Sequence, residues 1–272
     1  MNYIDKINSN AGLKLATAYE VGLEPLDVKH ISSFDDLENN YNDWDVYDDV
    51  AIKRPAGIDV TCHAHWNGEK YACWIMSISD DWLLAGRQGI ELMSNCFTMF
   101  SARCNLMDGY FKRMVQTLER YNHIGFVNIS ITFVGDKPKY RDVYFGATEM
   151  FAVCLEKLYG DIEIELFKEK EQKRKIDESI RGFSGYMRVH GYPYHPEQNR
   201  TIFESIPDEK KPELFWFIDS YTVAGRGDNI SELWKALYSQ AAGLREHGVC
   251  WRIDGDKKAR QTFYNLKQKR II

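Results

Sequence analysis

Thr222-Val223-Ala224-Gly225-Arg226-Gly227-Asp228-Asn229-Ile230, running on to Leu244, is the stretch from which the fold is read. Tyr221 to Ala224 has the aromatic and β-branched residues of a strand. Two glycines then open a turn. Asn229 stands where a helix N-cap belongs, with Glu232 three residues on in the capping-box position. Ile230, Leu233, Trp234, Leu237, Ala241 and Leu244 follow at helical spacing and make one apolar stripe. A strand, a glycine turn and a capped amphipathic helix that returns to a sheet point to an α+β chain with antiparallel sheets and helices packed on them.

Working downstream, His247-Gly248 ends that helix, Val249 to Trp251 reads as a short strand, and a last helix carries Phe263 and Leu266. Lysines and arginines crowd this end from Lys257 to Arg270; they read as the solvated face of the helix, with a local basic patch as the other reading. Upstream, Tyr186–His190 and Phe215–Ile218 read as strands, and the charged run Glu163–Ile180 as a helical hinge between two lobes. A helix is expected over Met150–Tyr159, and another from Asp108 with Phe111, Val115 and Leu118 on one face. Strands are expected over Gly125–Val134 and Lys139–Tyr144, joined by Gly135-Asp136-Lys137-Pro138.

The clearest hairpin lies further upstream, where Ile58, Val60, Cys62, Ala64 and Trp66 alternate with polar residues, Asn67-Gly68 turns the chain, and Tyr71–Ile78 returns. Asp49–Lys53 reads as a strand, and the stretch Gly86–Cys104 has no clear period. Near the start, a helix over Asn10–Val21, a strand with Leu26 and Val28, and a helix capped by Ser32 or Ser33 are expected. The chain divides on this reading into a first lobe (1–160), a helical hinge (161–183) and a small α/β C-terminal domain (184–272).

The 272 residues are 44% hydrophobic and 28% charged, the balance of a globular protein. No apolar run reaches the roughly 18–20 residues that span a bilayer, and Met1-Asn2-Tyr3-Ile4-Asp5-Lys6 lacks a basic region followed by an apolar core, so no signal peptide is expected. A cytoplasmic location and no membrane partner are therefore expected. The net charge of −5 offers no general attraction to nucleic acid. Cys62, Cys73, Cys96, Cys104, Cys154 and Cys250 include no CxxC pair, so buried free thiols are expected.

From about Asp59 to the end, several short motifs occur in an order that resembles the glycinamide ribonucleotide synthetase (phosphoribosylamine–glycine ligase) family of the ATP-grasp superfamily. The opening stretch is similar to the family's strand, glycine-rich turn and long helix. Val249-Cys250-Trp251-Arg252-Ile253-Asp254-Gly255 is similar to its aromatic-Arg-x-Asp-small signature, and Gly191-Tyr192-Pro193 to its Gly-Tyr-Pro. Gly57-Ile58-Asp59-Val60-Thr61 through Asn67-Gly68 resembles the strand after its Gly-x-Glu, and Phe145-Gly146 with Glu149 its Arg-Phe-Gly-Asp-Pro-Glu. The resemblance implies ATP-grasp-like lobes followed by a C-terminal domain like that of the synthetase.

The departures are as informative. The chain opens at what resembles the nucleotide-lobe helix and strand, without the family's first α/β domain, so an uncovered apolar face and self-association are expected. The phosphate-covering glycine loop has no counterpart, and a backbone can wrap a phosphate only where side chains are small. The family's two Mg²⁺ ligands, a Glu and an Asn two apart on one face of a strand, fall on Tyr140 and Asp142, and a neutral phenol is a poor magnesium ligand. The Arg and Asp of its next loop fall on Tyr144 and Ala147. Its loop rich in Gly, Asn and Thr falls on Gly89–Phe100, which is bulkier and is expected to fill substrate space.

What remains as candidate site residues is Asp142 as metal ligand and catalytic carboxylate, Glu149 as a second carboxylate, Arg252 with Asp254 as a substrate clamp or a structural ion pair, and Lys53 as a phosphate contact. His63 and His65, i and i+2 on a strand, either grip a metal or pack and hydrogen-bond. His190 and His195 flank Tyr192 and Tyr194, as a stacking pocket or an ordered turn. The leading expectation is an ATP-grasp-fold protein that has lost Mg·ATP-dependent ligation and binds a small molecule or a protein partner. One alternative is a carboxylate–amine ligase with a rearranged site, which alone would require ATP and Mg²⁺. Another is a transferase of an amino acid onto an activated nucleotide acceptor.

Overall fold

The computed structural model describes residues 22–25, 44–47, 50–53, 57–85, 91–159, 182–191, 196–211, 214–217 and 220–272. The helices expected over 10–21 and after Ser32, the strand at Leu26 and Val28, the hinge over 163–180, and His195 lie outside the described residues.

Strands β1 (Glu24–Pro25), β2 (Trp44–Tyr47), β3 (Val50–Lys53), β4 (Ile58–Trp66), β5 (Tyr71–Ala85) and β6 (Glu91–Ser101) lead to helix α1 (Asp108–Arg120). Then come β7 (Gly125–Val134), β8 (Lys137–Phe145), α2 (Glu149–Tyr159), β9 (Phe183–Gly191) and α3 (Pro196–Ser205). The chain finishes with β10 (Leu214–Phe217), β11 (Ser220–Gly227), α4 (Ile230–Gly243), β12 (Val249–Cys250) and α5 (Gly255–Gln268). One ten-stranded sheet runs β1-β8-β7-β4-β5-β6-β9-β11-β10, with β12 also on β9, while β2 and β3 form a separate two-stranded ribbon. Apart from the parallel pair β1–β8, its pairings are antiparallel. The sheet continues from β6 to β9, so strands on either side of residues 161–183 belong to it.

Alternation decides the two faces. Ile58, Val60, Cys62, Ala64 and Trp66 of β4 join Val127, Ile129, Ile131 and Phe133 of β7 beneath Phe111, Met114 and Leu118 of α1. On the same face, Met187, Val189, Tyr221 and Val223 pack under the stripe of α4, whose Ile230, Leu233, Trp234, Leu237, Ala241 and following Leu244 are all buried. Helix α2 covers the other face with Met150, Phe151, Cys154, Leu155 and Leu158 against Ile75, Phe97, Met99 and Phe126.

Local signals explain the junctions. The Asn229 side chain accepts a hydrogen bond from the Glu232 amide at 3.0 Å, while the Glu232 carboxylate accepts from the Asp228 amide at 3.2 Å, one residue ahead of the cap. A Cβ on Gly227 would lie 2.3 Å from the Leu233 nitrogen, so the strand can enter this helix so closely only with glycine there. The β4–β5 connection spans four residues, with Asn67 Oδ1 accepting from the amides of Glu69 and Lys70 at 3.0 and 2.9 Å. The β7–β8 turn is shorter than expected: only Gly135, at φ +64°, and Asp136 connect the strands, and Pro138 sits inside β8 near its start.

The stretch that showed no clear period is a strand from Glu91: it is β6, paired to β5 on one side and β9 on the other. Cys96 and Phe100 face one core cluster each on the α1–α4 side, and Phe97 and Met99 face the α2 side. A strand buried on both faces has no hydrophobic period to read.

Candidate functional site

On the α2 side of the sheet, β4, β7 and β8 present a band of polar side chains that grades from buried to half-exposed. Its buried end is His63. His63 Nδ1 lies 2.6 Å from Asn128 Oδ1, and Nε2 lies 2.7 Å from Ser77 Oγ. The Asn128 amide group donates to the carbonyls of Tyr144 and Gly146 at 3.0 and 2.8 Å, which fixes its oxygen toward the ring. The imidazole therefore carries its proton on Nδ1 and accepts from the Ser77 hydroxyl. Burial lowers the His63 pKa to about 4, against the opposite pull of the Asn128 hydrogen bond, so the ring is neutral at pH 7.

Ser77, His63 and Asn128 have the connectivity of nucleophile, base and orienter. Their exposures of 2%, 0% and 0% leave no substrate access, and the Phe151 ring lies 4.6 Å from the imidazole centroid. The histidine is a structural fastener that ties the end of β8 and the turn into α2 to the sheet centre. His65, also buried, packs edge-on to Phe126. Both histidines thus follow the packing reading rather than the metal grip. Among the described residues, no three His, Cys, Asp or Glu side chains cluster to hold a metal ion.

Toward the sheet edge the band opens. Thr61 and Ser130 hydroxyls meet at 2.8 Å, Thr132 donates to Asp59 at 2.6 Å, and Arg141 pairs with the same Asp59 oxygen at 3.2 Å. A β-bulge sets this pattern. The β7–β8 register runs Ile131 against Tyr140 and then Ser130 against Asp142, which leaves Arg141 as the extra residue. Tyr140 consequently joins the apolar core on the α1 side at 3% exposure, while Asp142 and Tyr144 lie opposite Ser130 and Asn128 on the polar side. Tyr140 and Asp142 therefore lie on opposite faces: residues two apart share a face only where alternation is unbroken.

The remaining candidates do not converge on Asp142. Glu149 heads α2 on the same side of the sheet, and Lys53 ends β3 in the separate ribbon; the structure describes only the backbone of these two. Arg252 and Asp254 lie on the opposite face. Arg252 Nη2 pairs with Asp80 Oδ2 at 2.9 Å, its Nε with Asp254 Oδ1 at 2.9 Å, and Lys258 reaches the other Asp80 oxygen at 3.2 Å. Burial works against the Arg252 charge, but the Asp254 and Asp80 carboxylates outweigh it and hold its pKa above the ordinary value. The hydrogen bond from Arg252 likewise holds Asp254 below the usual carboxylate range. The network joins β5 to the segment before α5.

Asp59 and Arg141 are the charged residues of the polar band to which sequence reasoning assigned no role, and Ser77, Asn128, Ser130 and Thr132 were not singled out either. Asp59 stood inside a quoted motif without a role, and nothing in the composition around Arg141 marks a bulge.

No family model matches the chain, and no curated protein matches it. Solved structures do. Phosphoribosylamine–glycine ligase from Thermotoga maritima superposes with a TM-score of 0.51 at 11% identity, over 89% of this chain and 75% of that one. The chain has the ATP-grasp fold. N5-carboxyaminoimidazole ribonucleotide synthetase from Thermus thermophilus follows with a TM-score of 0.47 at 9% identity, over 84% of this chain and 70% of that one. The biotin carboxylase domain of a single-chain bacterial carboxylase gives 0.45 at 7% identity, over 97% and 74%. The ATP-grasp assignment rests on the first superposition, and identity this low speaks for fold alone.

Proposed function

We propose that this ATP-grasp-fold protein no longer performs Mg·ATP-dependent ligation and acts by binding a small molecule or a protein partner. The observation that supports this reading is the bulge at Arg141. It draws Tyr140 into the core and ties Arg141 to Asp59, so the strand positions matching the synthetase family's metal ligands do not face a nucleotide together. Magnesium in phosphoryl transfer needs hard oxygen ligands that converge on the phosphates. The division of the chain at 161–183 into an ATP-grasp-like lobe and a synthetase-like C-terminal domain is part of the same proposal.

One observation favours a second reading. Asp59 adds a carboxylate to the face that carries Asp142, which a ligase with a rearranged site would require, although Arg141 and Thr132 already engage it. Release of ADP from Mg·ATP in the presence of candidate amino acids separates the two. The proposal expects no release above background with any of them. Amino-acid-dependent release that disappears in Asp142→Ala overturns it in favour of the ligase.

A further inference from the structure

The basic C-terminal run takes part in a cleft that the polar band does not touch. A cleft of about 770 Å³ lies between α5, the entry to α4 and the start of β9. Phe183, Phe263 and Tyr264 supply aromatic wall, and Lys257, Arg260 and Lys267 supply cations against a single acidic lining residue, Asp228. The spacing of 257, 260, 264 and 267 places these side chains along one stripe of α5, whose opposite side buries Ala259, Thr262 and Leu266. Phe183 and Phe263 meet edge to face at 5.0 Å and form the floor with Phe100 behind them. Tyr264 stands 58% exposed above it.

Two of the three cations are not consumed internally. Arg260 is paired with Asp256, but Lys257 and Lys267 take part in no ion pair among the described residues; Lys267 lies over the Phe263 ring at 4.7 Å. A solvated helix face needs no cleft, whereas here three cations and three rings border one cavity of the size that holds a small ligand.

We propose that this cleft binds a small phosphate monoester that carries a planar ring. Lys257 and Lys267 stand beside Arg260, whose charge Asp256 shares, and the three acceptor oxygens of a phosphate monoester can engage more of these donors at once than a lone carboxylate can. The rings offer the planar group stacking and edge contacts. The cleft lies on the α4–α5 side of the sheet, opposite Asp142, so the proposal is independent of whether Mg·ATP binds on the polar side.

Isothermal titration of the full chain with adenosine 5′-monophosphate, ribose 5-phosphate and adenosine tests it. The expected order is monophosphate tightest, ribose 5-phosphate weaker and adenosine weakest. The double variant Lys257→Glu/Lys267→Glu weakens the monophosphate by at least about tenfold. Both lysines are exposed, so the fold is kept and the melting temperature drops only slightly, through loss of the Lys267 contact over Phe263. Absence of binding at millimolar monophosphate overturns the proposal, as does unchanged binding by the double variant. Loss of binding in Asp142→Ala with retention in the double variant also overturns it, by moving the ligand to the other face. Single-stranded RNA binding more tightly than the monophosphate replaces the small ligand with a polymer and overturns it too.

Discussion

Two arginine–carboxylate pairs occupy opposite faces of the same sheet, and they differ in what surrounds them. Arg141 and Asp59 meet at 3.2 Å with side chains 24% and 38% exposed. Arg252 and Asp80 meet at 2.9 Å with exposures of 7% and 8%, and Lys258 and Asp254 join the network. The first pair is wet and reaches across β7, from Asp59 on β4 to Arg141 on β8, within the polar band. The second is sealed and joins residues 172 apart in sequence. Identical chemistry thus makes an adaptable surface in one place and a staple in the other. Solvent access decides which, because removing one partner of a buried pair strands a charge while removing one of a wet pair returns it to water.

Substitutions break or sharpen this contrast. Arg252→Met removes a buried partner of the Asp80 carboxylate, and the expected loss is about 3–5 kcal/mol in urea unfolding. A cost no greater than that of Arg141→Met breaks the contrast. His63→Ala, which removes the buried fastener between the two pairs, leaves Ser77 and Asn128 without their partner and opens a cavity, for about 3 kcal/mol.

The same histidine predicts a pH slope. Its folded pKa of about 4 lies below the unfolded value of 6.5, so the unfolded chain binds the proton first. Its contribution is full above pH 6.5, is lost as pH falls toward 4, and then levels off. Unfolding curves of His63→Gln against wild type across this window check it, with a flatter profile expected for the variant. The smallest effect is expected for Arg141→Met, under about 1 kcal/mol, because its pair is half in solvent.

Much of the fold was legible. The β4–β5 hairpin announced itself because one face of β4 buries Ile58, Val60, Cys62, Ala64 and Trp66 in strict alternation and Asn67-Gly68 can turn the chain. The α4 helix announced itself through Asn229 and its stripe. Strand β6 stayed hidden because both of its faces are buried, so Cys96, Phe97, Met99 and Phe100 show no period. The candidate site was less legible. Asp142 lies on the polar face, but the bulge that separates it from Tyr140 has no local sequence sign. The partner of Arg252 is Asp80, a long-range pairing that no local pattern encodes. The cations of α5 were visible as a charge run, yet only the packing of α4 and β9 beside them makes a cleft.

The most direct test of the central claim is isothermal titration of the full chain with Mg·ATP and Mg·ADP. The account predicts no micromolar binding that depends on Asp142. Micromolar Mg·ATP binding that is lost in Asp142→Ala and retained in Lys257→Glu/Lys267→Glu would contradict it and return the protein to the ligases.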